Sequence, residues 1–358
     1  MRGFRKLIRL NFFCVQYRKI RATVAISHEV TDTHIMTYAN IRGAIMAIMG
    51  KNIWDNLTTG MYSDSKVIFR EYIQNACDEI DAAVQSGLLV ENTGEIEIIL
   101  DAPNRNIVIK DNGPGVSSDD FQHKVGNVAD SDKEIGKHKG FRGIGRLCGL
   151  AYCDKVVFTS KYKGENILSI MEMDAKELRR LLYEDKTKYT FGDVYDKIVS
   201  FSTEQSSNIN DHFFIVKLFN IRKSNFDLLN KQGIQNYLSF VAPVPYVNSF
   251  IYHSKIYNHA KKINTKIDEY KILINGEQVF KNYKASLYKG QKKNDEIFDV
   301  AFEDFFDDSG NLIAWMWYGL STFTGALEND KEMVPKCEHL HIHDWVELID
   351  FLKESGAK

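Results

Sequence analysis

Between residues 64 and 86 apolar side chains return every three or four positions, at Phe69, Ile73, Ala76, Ile80 and Val84, while Glu71, Asn75 and Asp78 fall on the other side. At about 100° per residue this spacing predicts one amphipathic helix. Ser63 or Asp64 is placed to cap its start and Gly87 to stop it. Then the period drops to two. Ile96, Ile98 and Leu100 alternate with polar positions, Ala-Pro-Asn-Arg-Asn makes a turn, and Ile107 and Ile109 alternate again, which predicts a hairpin. Asp111 shares the parity of those isoleucines, so a strand puts its carboxylate on the apolar face. An ion there costs several kcal/mol unless donors meet it. A polar stripe on a helix is ordinarily a solvated face; a buried acid at a strand end is the sharper pointer to function.

Residues 116–139 are polar, glycine-dotted and weakly periodic, which suits a mobile lid with glycine hinges; 146–152 then read as a helix. Strands at 155–160, 167–173 and 213–219 complete a mixed α/β layer. Around 236–247 a helix ends beside Pro243 and Pro245, where a new run of strands begins. Beyond it, the segment 270–280 is a hairpin signal, because Asn275-Gly276 accepts the positive φ angles of a tight turn, and 312–318 adds another strand. Internal repeats and low-complexity segments are lacking.

With 358 residues the chain exceeds the usual single domain. The reading is an N-terminal extension over 1–45, a first domain over 46–225 with its lid at 116–139, and a partial second domain over 226–358. The formal net charge of −2 supplies no global field for a nucleic acid or an anionic membrane. Cys14, Cys77, Cys148, Cys153 and Cys337 are scattered and odd in number, which fits a reducing compartment and a cytoplasmic protein better than a disulfide framework. No apolar stretch reaches the roughly 18 residues a membrane span needs. The first 28 residues carry Arg2, Arg5, Lys6, Arg9, Arg18, Lys19 and Arg21 without an acid, and the apolar run at 10–15 contains Asn11. That run is too short and broken for a signal peptide. The segment reads as a disordered or mis-started leader in preference to an organelle transit peptide, which its Arg-rich, acid-free start also resembles.

Three segments carry the chemistry: Glu71-Tyr-Ile-Gln-Asn75-Ala-Cys-Asp78, Asp111-Asn-Gly113-Pro-Gly115, and Gly140-Phe141-Arg142-Gly143-Ile144-Gly145. Alone, each is common. Glu-x-x-x-Asn occurs on many helices, and Gly143-Ile-Gly145-Arg-Leu-Cys-Gly149 lacks both the preceding strand and the glycine spacing of a dinucleotide fingerprint. No Gly-x-x-x-x-Gly-Lys-Ser/Thr occurs, which excludes a P-loop. In this order, with a lid-length gap between the second and third, they resemble the nucleotide boxes of the Bergerat-fold (GHKL) ATPases. That superfamily groups gyrase B, heat-shock protein 90, histidine kinases and MutL.

The resemblance implies an α+β fold, a two-layer sandwich of helices on a mixed sheet, followed by a partial middle- or transducer-like α/β domain. It also implies ATP and Mg²⁺ as ligands. Glu71 then matches the general base that orients the attacking water, Asn75 the amide that ligates Mg²⁺, and Asp78 an acid supporting the water and phosphate network. Asp111 matches the acceptor of the adenine amino hydrogen, with Gly113 and Gly115 admitting base and ribose. Gly140, Phe141, Arg142, Gly143, Ile144 and Gly145 match the phosphate loop, whose amides converge at a helix start.

Within the superfamily, Phe69-Arg-Glu-Tyr-Ile-Gln-Asn-Ala-Cys-Asp and Tyr152-Cys-Asp-Lys-Val-Val-Phe-Thr-Ser-Lys are most similar to heat-shock protein 90 of the bacterial HtpG type, over about 50–220. The chain departs from that pattern at Asp211-His212, where the chaperone has Gly-Thr, and at Lys124 and Asp130 in the lid. No residue takes the part of the chaperone's middle-domain cation. The implied function is a Mg-dependent ATPase that couples lid closure to a client or partner protein, with a nucleotide-dependent homodimer as an associated expectation. A DNA-transaction ATPase of MutL or topoisomerase type and a non-catalytic nucleotide-sensing module are the alternatives. A sensor histidine kinase is disfavoured, because no phosphoacceptor helix pair precedes the first box. Two further features weigh little. Cys337, His339, His341 and His343 alternate on one strand face, too close together to surround one tetrahedral zinc. Cys77 reads as a small packing residue.

Overall fold

The computed structural model describes residues 12–13, 49–60, 64–128, 144–184, 189–281, 297–306 and 309–321. The helix expected from the first apolar period is α1 (Val67–Gln85). Its N-cap is Lys66, which makes no side-chain cap bond; Asp64 Oδ1 instead accepts the Lys66 amide at 3.0 Å. Gly87, at φ +74°, ends it as expected. The predicted hairpin forms as β1 (Glu95–Asp101) and β2 (Asn106–Asp111), paired antiparallel.

The stretch expected to be an irregular lid begins instead with a helix, α2 (Ser118–Gly126), capped by the Ser117 hydroxyl and seated through buried Phe121 and Val125. Residues 129–143, the rest of that stretch and most of the third box, lie outside the described residues. The expected helix after the box is a 3₁₀ helix, Gly145–Ala151. The strands β3 (Lys155–Lys161) and β4 (Ile167–Asp174) follow. Next come α3 (Ala175–Tyr183), α4 (Phe191–Ile198) and the strand β5 (Val199–Gln205), three elements that hydrophobic period did not separate from loop, and then β6 (Phe213–Phe219).

After α5 (Lys231–Val241), which stops at Ala242 just before Pro243, come α6 (His253–Lys262) and the hairpin β7 (Lys271–Ile274) and β8 (Glu277–Gln278). Asn275 at φ +48° and Gly276 at φ +81° make its tight turn as expected. The strands β9 (Ile297–Phe306) and β10 (Leu312–Ser321) pair antiparallel, and Phe12–Phe13 adds a short strand to the other side of β10.

Eight strands form one mixed sheet in the order β5-β4-β3-β6-β2-β1-β7-β8, with β1–β7 its parallel pair. The chain is thus α+β. A single cross-strand row explains its cohesion: Ile274, Ile98, Ile109, Val216, Phe158, Met171 and Phe201 stand side by side from β7 to β5. All but Phe201 are buried, and α1 lays Phe69, Ile73, Ala76 and Ile80 in the same core. Lys51 fixes the domain's leading edge, its buried ammonium donating to the Leu181 carbonyl at 2.6 Å and the Glu184 carbonyl at 2.7 Å at the end of α3. Nearby, Trp54 stacks on Phe191 with ring centroids 4.6 Å apart.

The sheet does not end at β6. Ile272 and Ile274 are wholly buried in the same core as Ile98, although they follow α6 in the chain. A separate cluster gathers Tyr246, Phe250, Ile256, Ala260, Val300, Trp315 and Trp317. Ile272→Ala is therefore expected to destabilise the first domain itself by about 2–5 kcal/mol, as a large-to-small change in a packed core does. Urea unfolding followed by far-ultraviolet circular dichroism checks this, and an unchanged transition would show that β7 is not part of that core.

Candidate functional site

The inner face of the sheet changes character one step along from its apolar row. The next inward row runs Ile272, Ile96, Asp111, Phe214, Ser160, Ser169 and Thr203. Asp111, Ser160 and Ser169 in it are buried. Polar groups in a row beside an apolar core mark where the layer opens into a site. Asp111 is where the strand parity predicted it, with its carboxyl shielded from water. Three backbone amides meet it, Gly113 N–H at 2.9 Å, Phe214 N–H and its own. Burial is nevertheless the largest influence, the Glu79 carboxylate adds to it against those donors, and the carboxyl is pushed up to about 7.

The turn after Asp111 is tight for reasons internal to the protein. A methyl group on Gly115, at φ +69°, would lie 2.2 Å from the Lys161 carbonyl oxygen, and one on Gly113 would lie 2.8 Å from Asp111 Oδ1 and 3.0 Å from Glu79 Cβ. The Gly113 carbonyl accepts from His212 Nδ1 at 2.9 Å, which sets the imidazole beside the second box. His212, noted in the sequence as a departure, is thus part of the wall. Ser160 locks the turn's far end, accepting the Val116 amide at 2.6 Å and donating to the Val116 carbonyl at 2.9 Å.

Across from β2, the polar side of α1 is not the solvated face that such a stripe ordinarily is. Asp78 is buried and Glu71 and Asn75 are half-buried. A methyl group on Gly145 would stand 2.4 Å from Glu71 Oε2, so the last glycine of the third box lies directly against the first-box carboxylate. Arg70 Nη2 pairs with Glu71 Oε1 at 3.0 Å, with both side chains largely covered. Tyr72, the residue between Glu71 and Ile73, donates its hydroxyl to the Arg146 carbonyl at 3.0 Å and accepts the Gly149 amide at 3.2 Å. Burial holds that phenol protonated, and it raises the Cys148 thiol beside it as well. Motif matching singled out neither Arg70 nor Tyr72; the tyrosine's place between the polar and apolar stripes was the available signal.

The structure therefore brings Glu71 to Gly145, and Asp111 and Gly113 to the same helix at Glu79. Ile144 and Gly145 begin the 3₁₀ helix, while Gly140, Phe141, Arg142 and Gly143 lie outside the described residues. So do Asp130 and the Cys337, His339, His341 and His343 group. Lys124 is exposed on α2, paired with Asp120 at 3.1 Å. Cys77 is buried in the core, a packing residue in position. Among the described residues no group of three or more His, Cys, Asp or Glu is set to hold a metal, and no helix is long and apolar enough to cross a membrane.

Comparison with known proteins places similarity over the region that holds this geometry. Residues 62–194 match the family described as histidine kinase-, DNA gyrase B-, and HSP90-like ATPase. The chain is 29% identical over 185 residues to the chaperone protein HtpG of Rickettsia massiliae, a match that covers 47% of this chain and 29% of that protein. The HtpG of Rickettsia prowazekii is 28% identical over 185 residues, with the same coverage of each chain, and that of Fusobacterium nucleatum 25% over 175, covering 42% of this chain and 29% of its own. The chain thus spans about three-tenths of the length of these relatives. Over residues 62–194 it is similar to this ATPase family.

The Asp111 carboxyl gives a pH signature. In an unfolded chain it ionises near 4; in the folded protein it holds its proton until about 7. Stability should therefore fall as pH rises from about 4 to about 7, by on the order of 4 kcal/mol, and be level above that window. Urea denaturation of the wild type and of Asp111→Asn across this range tests it. The asparagine variant should lack the slope, and an equal slope in both would assign it elsewhere.

Proposed function

We propose that this chain, with its GHKL-type ATPase domain, binds Mg·ATP and hydrolyses it to ADP and phosphate. Three features support the reading: a desolvated carboxyl at the end of a sheet, a helix opposite with Glu71, Asn75 and Asp78 on its site face, and a glycine of the third box against Glu71. The observation that carries it is the carboxyl. Its backbone-amide donors do not offset the burial of the carboxyl, and an adenine amino group supplies a further donor.

In this reading Asp111 fixes the base, and the glycine turn 113–115 with His212 bounds its edge. Oxygen donors on α1 suit a hard cation: Asn75 would ligate Mg²⁺, which neutralises phosphate charge when bound. Glu71 positions the attacking water and takes its proton. For that, its carboxylate must turn from Arg70, the partner it holds in the structure. Asp78 supports the water and phosphate network from its buried place on the same face.

The relatives named above are chaperone proteins, and a chaperone-like role follows as part of the proposal: nucleotide state in the sheet is passed to a client or partner protein through the cluster around Tyr246 and Trp317. A cytoplasmic setting and nucleotide-dependent self-association belong to the same reading.

Calorimetric binding and steady-state phosphate release test the assignment. Glu71→Ala is expected to keep Mg·ATP affinity and lose about a hundred- to ten-thousandfold in turnover, the usual contribution of a general base. Asp111→Asn should weaken binding about ten- to a hundredfold through one lost buried hydrogen bond. Wild-type affinity should also weaken as pH falls through about 7, since the neutral acid is the poorer acceptor. A wild-type protein that neither binds nor hydrolyses Mg·ATP removes the proposal; the reverse pattern in the two variants would exchange the roles.

A further inference from the structure

The last turn of α2 is capped in an unusual way. A helix leaves its final carbonyls without intrahelical partners, and here side chains from elsewhere in the fold supply donors to four in succession. Arg146 Nη1 donates to the Lys124 carbonyl at 2.6 Å and the Val125 carbonyl at 2.9 Å. Tyr195, on α4, donates its hydroxyl to the Gly126 carbonyl at 2.8 Å. Arg146 Nη2 then donates to the Asn127 carbonyl at 2.6 Å. A guanidinium suits this task because its donors form a rigid planar fork and its charge opposes the negative end of the helix dipole.

The other end of Arg146 is held as firmly. Its carbonyl accepts from the Tyr72 hydroxyl at 3.0 Å, so its main chain is tied to α1, the helix that carries Glu71. Its neighbour Gly145 is the glycine that lies against Glu71 Oε2. One residue thus spans α1 and α2 at the point where the third box meets the first-box carboxylate. Burial lowers the guanidinium pKa. Packing alone would place an apolar residue here.

We propose that Arg146 is a positioning residue for the phosphate end of the nucleotide, holding Gly145 against Glu71 by capping α2 with its side chain while its main chain is anchored to Tyr72. The proposal rests on the reading of the site as an ATP site. It separates the phosphate end, which depends on Arg146, from the base end at Asp111, which does not touch it.

The test is calorimetric titration of the full chain with adenosine and with Mg·ATP. Arg146→Ala should lose about tenfold or more in Mg·ATP affinity, in the range of ordinary site coupling, with adenosine affinity changed by less than about twofold. Arg146→Lys should fall between, since an ammonium lacks the fork. Tyr195→Phe, which removes one cap bond and keeps the ring, should shift Mg·ATP in the same direction by less. Should Arg146→Ala fail to fold, the milder two variants carry the same comparison. Equal losses for both ligands would reduce Arg146 to a structural residue, and unchanged Mg·ATP affinity would overturn the proposal outright. A wild type that binds adenosine but not Mg·ATP refutes the phosphate role alone; one that binds neither brings down the ATP reading and this inference with it.

Discussion

The carboxyl of Asp111 sits where a charge is costly, and much of the surrounding geometry follows from that. To be tolerated at all it needs donors, and the nearest are amides of its own turn and of β6. Bringing Gly113 N–H back onto Oδ1 requires a turn with no room for a side chain at position 113, and folding that turn under Lys161 requires φ +69° at Gly115. The glycines of the second box thus have a reason in the protein itself, before any ligand is considered. What the donors leave uncompensated shows as a carboxyl held near 7, the state of an acceptor awaiting a partner.

The opposite wall is α1, whose two stripes do different work. Its apolar stripe, Phe69, Ile73, Ala76 and Ile80, is buried in the sheet's core, and this fixes the helix in rotation and translation. Its polar stripe is then committed to the space between helix and sheet end. Tyr72 lies at the border of the two and reaches the 3₁₀ helix at Arg146 and Gly149. The first and third boxes are therefore one packed unit. A displacement of either strains a buried hydroxyl that donates and accepts at once, and buried polar networks of that kind tolerate little slack.

How much of this the chain displays in one dimension depends on the physics of each element. The helix and the hairpin were legible because one face of each is buried and periodicity records it, β3, β4 and β6 as short apolar runs, and the Asn275-Gly276 turn because its residue types accept positive φ. The side of the strand on which Asp111 lies was legible for the same reason. The edge strand β5 was not, because Ser200, Ser202, Thr203, Glu204 and Gln205 are all exposed and carry no alternation. The short helices α3 and α4 were missed because each buries only two or three side chains. The cap on α2 by Arg146 and Tyr195 joins residues 69 apart in the case of Tyr195 and Gly126, and no local pattern announces such a partner. The start of α2 was visible in principle, with Ser117 at its N-cap and two acids in its first turn, but the glycines around it suggested a hinge instead.

The second cluster follows a similar argument about connections. Its entry passes two prolines, which in sequence reads as a boundary between domains. In the fold that entry is stitched to its own exit: the Pro243 carbonyl accepts from Tyr270 N–H and the Pro245 carbonyl from Lys281 N–H, each at 2.8 Å, and Val247 N–H returns to the Lys281 carbonyl at 3.1 Å. Lys281 itself is buried, its ammonium donating to the Ala242 carbonyl at 3.1 Å. Between those two ends the chain makes α6 and then re-enters the sheet as β7, parallel to β1. Residues 246–267 are therefore a closed excursion from the sheet and not a unit on a flexible tether. The strand next to β2, whose last residue is Asp111, is hydrogen-bonded on its other side to the strand that closes this excursion. β1 is thus the one strand between β2 and β7, joined to both by ladder hydrogen bonds, and the isoleucines of all three pack in one core.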